Sequence, residues 1–355
     1  MAVLSMSVVV DSYSYTLIKI ASLKSLIISQ EEFLKFQRIN EIDKLIIEID
    51  KYYPGLSTAF HNQIPTIVEI EKQLYVIFLK IFEKILTISP SQLRDFLRSL
   101  LYRYEIWNLK TLLAGKLANI DMTTIQDEML MKPEELLQRS KFLKDLLKHD
   151  DIAYILRLLS KSRYAQIIER GMYYFSEKRE IFLLEALLDK FYVDALHDNL
   201  QEYIGLEKRI FTNYVDIIIQ KYNLMLIYRC LRNKVPKDLL KQLIIPFGSI
   251  FTPDLILKFA ATDNVKDFIT QLRDFIKNNG QFKKIEILNK GSDSDLVTHL
   301  LSILNKSIFQ KLTISDVADI DSMTIKRVLS FIFNKENEIY RVLGLFVKVT
   351  YKLKE

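Results

Sequence analysis

The chain has 355 residues, 49% of them hydrophobic and 26% charged, with a formal net charge of +6 from 50 Lys+Arg against 44 Asp+Glu. That balance excludes wholesale disorder, and a small basic excess alternating in sign along the chain argues against a nucleic-acid binder, which gathers its cations on one stripe. Only 8 residues are glycine, where average usage gives about 25. Tight hairpins and phosphate-cradling loops need such residues for their positive φ angles, so an all-α chain of long helices joined by polar loops is expected.

In chain order, the opening MAVLSMSVVV is apolar but short, with neither a basic leading region nor a small-residue cleavage site, so no secretory signal is expected. No stretch reaches the roughly 18 apolar residues of a bilayer span. Tyr52-Tyr53-Pro54-Gly55 marks the first break. From Glu69 to Leu86, apolar residues at Leu74, Ile77, Phe78, Ile81 and Ile85 share one helical face. Ser89-Pro90-Ser91-Gln92 then reads as a helix start, with Ser89 as cap, Pro90 at the first helical position and Gln92 completing a capping box. Leu93, Phe96, Leu97, Leu100, Leu101 and Tyr104 continue that helix through Trp107 and Leu113, until the pattern fades after Gly115-Lys116. The short loop between these two segments predicts an antiparallel pair. Further breaks fall at Lys132-Pro133, Val235-Pro236, Pro246-Phe247-Gly248 and Asn278-Asn279-Gly280, and Asn289 to Asp295 is the most loop-like stretch.

A weak internal repeat organises the chain. Tyr104-EIWNLKTLLAGK-Leu117, Gln220-KYNLMLIYRCLRNK and Lys335-ENEIYRVLGLFVKV each close a long amphipathic segment. Aligning Asn108, Asn223 and Arg341 gives spacings of 223−108 = 115 and 341−223 = 118, far beyond the roughly 20–50 residues of a solenoid repeat. Three related helical lobes are therefore expected, over 1–130, 131–250 and 251–355, with an N-terminal helix able to pack on the last of them.

No catalytic constellation emerges. His61, His149, His197 and His299 stand alone, without the i, i+4 spacing that grips zinc. Cys230 is the single cysteine, which forbids an internal disulfide and makes a reducing compartment the default; with no histidine partner in sequence it reads as structural. Gly115-Lys116 imitates the end of a phosphate-binding loop, but Lys110 stands where the leading glycine belongs and Leu117 where Ser or Thr belongs. Asp293 and Asp295 lack the glycine and closing glutamate of a calcium loop. No metal or cofactor is expected. Asn108 and Asn223 each sit where the apolar stripe would place a leucine, and a buried amide must find partners. They either tie neighbouring helices together or touch a binding partner.

The run Tyr104, Glu105, Asn108, Leu109, Lys110 and Leu113 resembles the Tyr/acid-x-x-Asn-Leu-Lys/Arg-x-x-Leu pattern of the C subunit of the archaeal-type (A-type) rotary ATP synthase, the family of the vacuolar ATPase d subunit. The middle copy keeps Asn223, Leu224 and Arg229, followed by Gln242-LIIPFG-Ser249, and the last copy keeps Lys335-Glu336-Asn337-Glu338-Ile339. Tyr15-TLIKIASLKSLIISQEEF-Leu34 is similar to the family's opening helix and start signal. The sequence departs from the pattern at Gln220, Met225, Arg341 and Ala114. The resemblance implies three similar lobes in a pseudo-threefold funnel. It implies a non-catalytic component of the central stalk, monomeric in isolation, on the cytoplasmic face of the membrane. Its partners would be the rotor ring of proteolipid subunits and the D and F subunits of the shaft, with the membrane reached only through the ring and no nucleic acid bound. Tyr104, Glu105, Asn108, Lys110, Asn223, Arg229, Glu338 and Arg341 are the repeat positions expected to serve packing or interfaces. A generic helical scaffold for another complex shares the compositional features and differs in its partners.

Overall fold

The computed structural model describes residues 2–60, 64–178, 181–279 and 320–351. Among them every regular element is helical and none is a strand, so the protein is all-α. The α-helices are α1 (Ala2–Leu23), α2 (Gln30–Phe36), α3 (Ile42–Asp50), α4 (Leu56–Ala59), α5 (Ile67–Ile88), α6 (Ser91–Leu117), α7 (Met122–Glu128), α8 (Met131–Leu136), α9 (Ser140–Leu147) and α10 (Ile152–Leu159). They continue with α11 (Ala165–Lys178), α12 (Phe182–Asp198), α13 (Gly205–Arg232), α14 (Lys237–Leu243), α15 (Pro253–Ala260), α16 (Val265–Asn278) and α17 (Ile320–Tyr351). Short 3-10 turns lie at Lys24–Leu26 and Asn199–Glu202. His61, His299, Gly280 and the Asn289–Asp295 stretch lie outside the described residues.

The chain divides into two compact units, one of Met1–Lys161 with Ala318–Glu355 and one of Ser162–Val317. In the first, α1, α5 and α17 pack on one another. Thr324 Oγ1 donates to the Tyr13 carbonyl near the start of α17, and Glu338 further along α17 takes the Ile28 N–H just past α1. Helices α1 and α17 therefore run in the same direction, while Thr16 Oγ1 donates to the Ile88 carbonyl at the end of α5. Leu74 and Ile85 of α5, Leu93, Phe96 and Leu101 of α6, and Ile325, Val328 and Ile339 of α17 are wholly buried or nearly so. Each such side chain contributes about 1.5–3 kcal/mol on leaving water. Helices α5 and α6 form the expected antiparallel pair: Tyr75 meets Trp107 at 5.1 Å and Tyr104 at 6.1 Å between ring centroids. In the second unit α13 runs through the core with Phe211, Val215, Ile219 and Ile227 buried, while Phe251, Phe259 and Phe268 fill the space under α15 and α16.

One sequence expectation needs correcting. Ser89 does not cap α6. Its hydroxyl donates back to the Ile85 carbonyl, because α5 runs on to Ile88 and leaves its last carbonyls in need of donors. Arg94 reaches back from α6 for the same purpose, donating through Nε to Leu86 O and through Nη2 to Ser89 O. The capping box stands instead at the other end of α5, where Thr66 and Glu69 satisfy each other's backbone N–H groups.

Candidate functional site

The long helices that end the repeats each carry a buried polar group facing a loop. On α6, Asn108 is fully buried. Its Oδ1 accepts from the Leu130 N–H at 2.9 Å, and its Nδ2 donates to the Leu130 carbonyl at 2.8 Å and to Glu134 Oε1 at 3.1 Å. Leu130 lies extended between α7 and α8 as the residue just before α8, where its N–H falls outside the helical ladder. A side-chain amide presents a donor and an acceptor side by side, as a neighbouring strand would, so one residue satisfies both groups.

Asn223 on α13 repeats the device. Its Oδ1 accepts from the Ile245 N–H at 3.0 Å and its Nδ2 donates to the Ile245 carbonyl at 2.8 Å. In both copies the gripped residue follows the asparagine by 22 positions and lies two past a short helix, α7 ending at Glu128 and α14 at Leu243. Tyr222, one residue before Asn223, adds a hydroxyl bond to the Leu243 carbonyl at 3.0 Å.

Three residues before the aligned position stand Glu105, Gln220 and Glu338, all buried. Glu105 accepts from Arg139 Nε at 2.5 Å. Gln220 accepts from the Phe251 N–H at 3.0 Å and donates to Asp216 Oδ2 at 2.7 Å, and Asp216 in turn takes the Ser249 N–H at 3.0 Å. The amide at 220 therefore fits where an acid is the rule, because it must accept and donate at once. Gly248 lies within this loop. A Cβ there would stand 2.3 Å from the Phe251 carbonyl oxygen, whose residue is already pinned through its N–H. Gly248→Ala is expected to cost about 1–3 kcal/mol of stability, read as a lower urea midpoint at unchanged slope.

The third copy divides the amide's work between two side chains. Arg341, at the aligned position, is exposed; it lies 3.9 Å from the Phe33 ring centroid and donates to Gln30 Oε1 at 3.1 Å. The grip comes from Glu338, whose Oε2 accepts from the Ile28 N–H at 2.7 Å, and from Lys335, whose Nζ donates to the Leu26 carbonyl at 2.6 Å, the Tyr52 carbonyl at 3.0 Å and Glu338 Oε1 at 2.6 Å. Ile28 again lies two residues past a short helical turn, the one ending at Leu26.

Tyr104 and Arg229, two of the remaining repeat positions, make contacts within their own unit. Tyr104 donates to Glu336 Oε1 at 2.7 Å and Arg103 to Glu336 Oε2 at 2.6 Å, which fastens α6 to α17; burial and the Glu336 carboxylate hold the Tyr104 phenol well above its usual range. Lys110 is half-buried on α6. Arg229 pairs with Glu185 at 3.1 Å and stacks over Phe182, tying α13 to α12. Lys116 reaches Asp150 at 2.9 Å, and a Cβ on Gly115 would collide with Ile125 at 2.6 Å, so this pair serves the packing of α6 on α7. Burial pushes the Cys230 thiol up to about 12, which keeps it protonated and unreactive. His149 lies against Tyr154 and His197 against Phe247. Among the described residues no group of three His, Cys, Asp or Glu could hold a metal ion, and no helix is long and apolar enough to cross a membrane.

Glu134 and Asp216 are the parts that sequence reasoning does not name, and Gln220 and Lys335 stand there only as a departure from the pattern and a member of the last copy, without these partners. The signal was available for Gln220, because a polar residue recurs three positions before each aligned site.

Residues 19–355 match the family model for the ATP synthase (C/AC39) subunit. Over 348 residues the chain is 22% identical to the C subunit of the A-type ATP synthase of Methanosarcina acetivorans, covering 95% of this chain and 88% of that one. Over 344 residues it is 21% identical to the C subunit of the A-type ATP synthase of Pyrococcus furiosus, covering 94% and 85%.

Proposed function

This chain belongs to the ATP synthase (C/AC39) subunit family, and we propose that in such a complex it is a non-catalytic part of the central stalk that couples the membrane rotor ring to the shaft. It would transmit torque for ion-driven ATP synthesis or ATP-driven ion pumping. The observation that carries this reading is the family match over residues 19–355. Three lobes, 1–130, 131–250 and 251–355, form a pseudo-threefold funnel in this reading. The funnel sits on the cytoplasmic end of the ring of proteolipid subunits and receives the D and F subunits of the shaft. The protein stays peripheral, held at the membrane through the ring, and is monomeric when isolated.

Torque transmission demands stiffness, and close-packed interiors deform little. The clasps support this reading, because each fastens a helix of 27, 28 or 32 residues to a loop by buried hydrogen bonds. Asn108, Asn223 and Glu105 spend their polar groups inside the chain. Contacts with the ring and shaft therefore fall to groups that reach the surface, Arg341 among them.

The test is to tag the protein in its source cells, solubilise the membranes gently and identify what co-purifies. The rotor ring, the shaft and the catalytic head of an ATPase are expected in fixed ratio. Recovery of an unrelated assembly without them overturns the coupling role and leaves a helical scaffold.

A further inference from the structure

The third clasp differs from the other two in a way that gives it a property they lack. The asparagine clasps on α6 and α13 are made by a neutral amide, whereas the clasp on α17 contains a buried ammonium and a buried carboxylate. The segment it grips, residues 24–53, is remote in sequence and is fastened to α17 as a strap at Leu26 O, Ile28 N and Tyr52 O. From this arrangement we infer that Lys335 and Glu338 form a proton-sensitive latch that fastens the N-terminal strap onto the C-terminal helix.

The groups facing Lys335 come from each segment around it. Glu338 faces it from α17, one turn away. Tyr53, in the turn after α3, places its ring centroid 3.6 Å from Nζ, and the carbonyls of Leu26 and Tyr52 complete the shell. Tyr75 of α5 acts on Tyr53, while Glu32 of α2 and Lys51 act on Tyr52. The Lys335 side chain has no exposed surface. Burial lowers its pKa from 10.5 to about 8, and Glu338 offsets part of that shift by charge and by hydrogen bond.

The sign follows from linkage. With the strap open, Lys335 meets water and recovers its ordinary value; with the strap closed, it sheds its proton near pH 8. Between these values the open form binds more protons, so raising the pH favours closure and lowering it through about 8 removes the gain. The strap is therefore looser at neutral pH than at pH 9.5. Tyr53, held well above its usual range by burial and by Glu338, stays neutral when closed. Its ionisation in the open form works against closure above about pH 10.

Hydrogen exchange by mass spectrometry on the full chain, corrected for the intrinsic base-catalysed rate, reads this directly. Protection of the peptide spanning Lys24–Gln30 is expected to rise about tenfold from pH 8 to 9.5, while protection within α6 stays flat. In Lys335→Met the rise disappears. Should that variant not fold, Glu338→Gln serves in its place: with the carboxylate gone Lys335 loses its proton earlier, and the rise begins at lower pH. A flat profile in the wild-type chain overturns the latch. So does exchange of the strap in step with α6 at every pH, or a rise that survives in Lys335→Met or keeps its position in Glu338→Gln.

Discussion

Glu338→Ala is expected to lower the unfolding free energy by about 3–5 kcal/mol, the cost of removing one partner from a buried ion pair. Lys335 is left without a counter-charge in a site with no exposed surface, where it gives up its proton at lower pH, and the Ile28 N–H loses its acceptor. The thermal midpoint should fall by about ten degrees, at a few degrees per kcal/mol for a body of this size. Lys44→Ala is the control, since its partner Glu41 is as exposed as itself, with side-chain exposures of 67% and 64%. That change should cost less than about 1 kcal/mol. The double variant Lys335→Met, Glu338→Leu should recover part of the loss, because an apolar pair needs no counter-charge. Recovery stays partial, since the Leu26 and Tyr52 carbonyls lose their donor. Equal small effects from Glu338→Ala and Lys44→Ala in chemical denaturation would show that the buried pair contributes no more than a surface one.

Asn223→Leu should cost about 1–3 kcal/mol, because it leaves the N–H of the buried Ile245 without an acceptor, while the Ile245 carbonyl loses one donor and keeps the Phe247 N–H at 2.8 Å. Leucine matches the asparagine in size and suits the surrounding stripe, so the loss isolates the hydrogen bonds from the packing. Asn223→Asp should be worse still, since it sets a charged acceptor against the Ile245 carbonyl in a buried site. Asn108→Leu should cost somewhat more than Asn223→Leu, because Asn108 Nδ2 also donates to Glu134 Oε1. Urea denaturation measures the totals. Amide exchange at Ile245 and Leu130 locates them, and unchanged protection at those two amides would mean that the loops are held by something other than the asparagines.

Much of this architecture is legible from spacing. The apolar stripes of α5, α6 and α13 give their faces, because burial of one helical side imposes its period on the sequence. Asn108 and Asn223 are conspicuous as polar residues on those stripes, yet their partners are not. Leu130 and Ile245 are apolar residues in loops, and what the asparagines read is backbone, which leaves no mark in the side-chain sequence. Ser89 misleads because the Ser-Pro-Ser-Gln run satisfies a capping rule locally, while the carbonyls of the preceding helix compete for the same hydroxyl. In the third copy, alignment on Arg341 draws the eye to the surface. The buried work lies one and two turns earlier, at Glu338 and Lys335, and its partners are some 310 residues away in the chain. No local pattern encodes a contact of that range.

That range has a kinetic meaning. Ile28 leaves the ribosome long before Glu338 is made, and at about 5–20 residues per second the interval is roughly 15–60 s. During it the apolar faces of α1 and α5 have been synthesised while the helix that covers them does not yet exist. Closing so long a loop is slow relative to local helix formation, so the beginning of this protein waits for its end. Until then those faces are open apolar surface of the kind that aggregates or is held by chaperones, and a chain lacking α17 would keep them open.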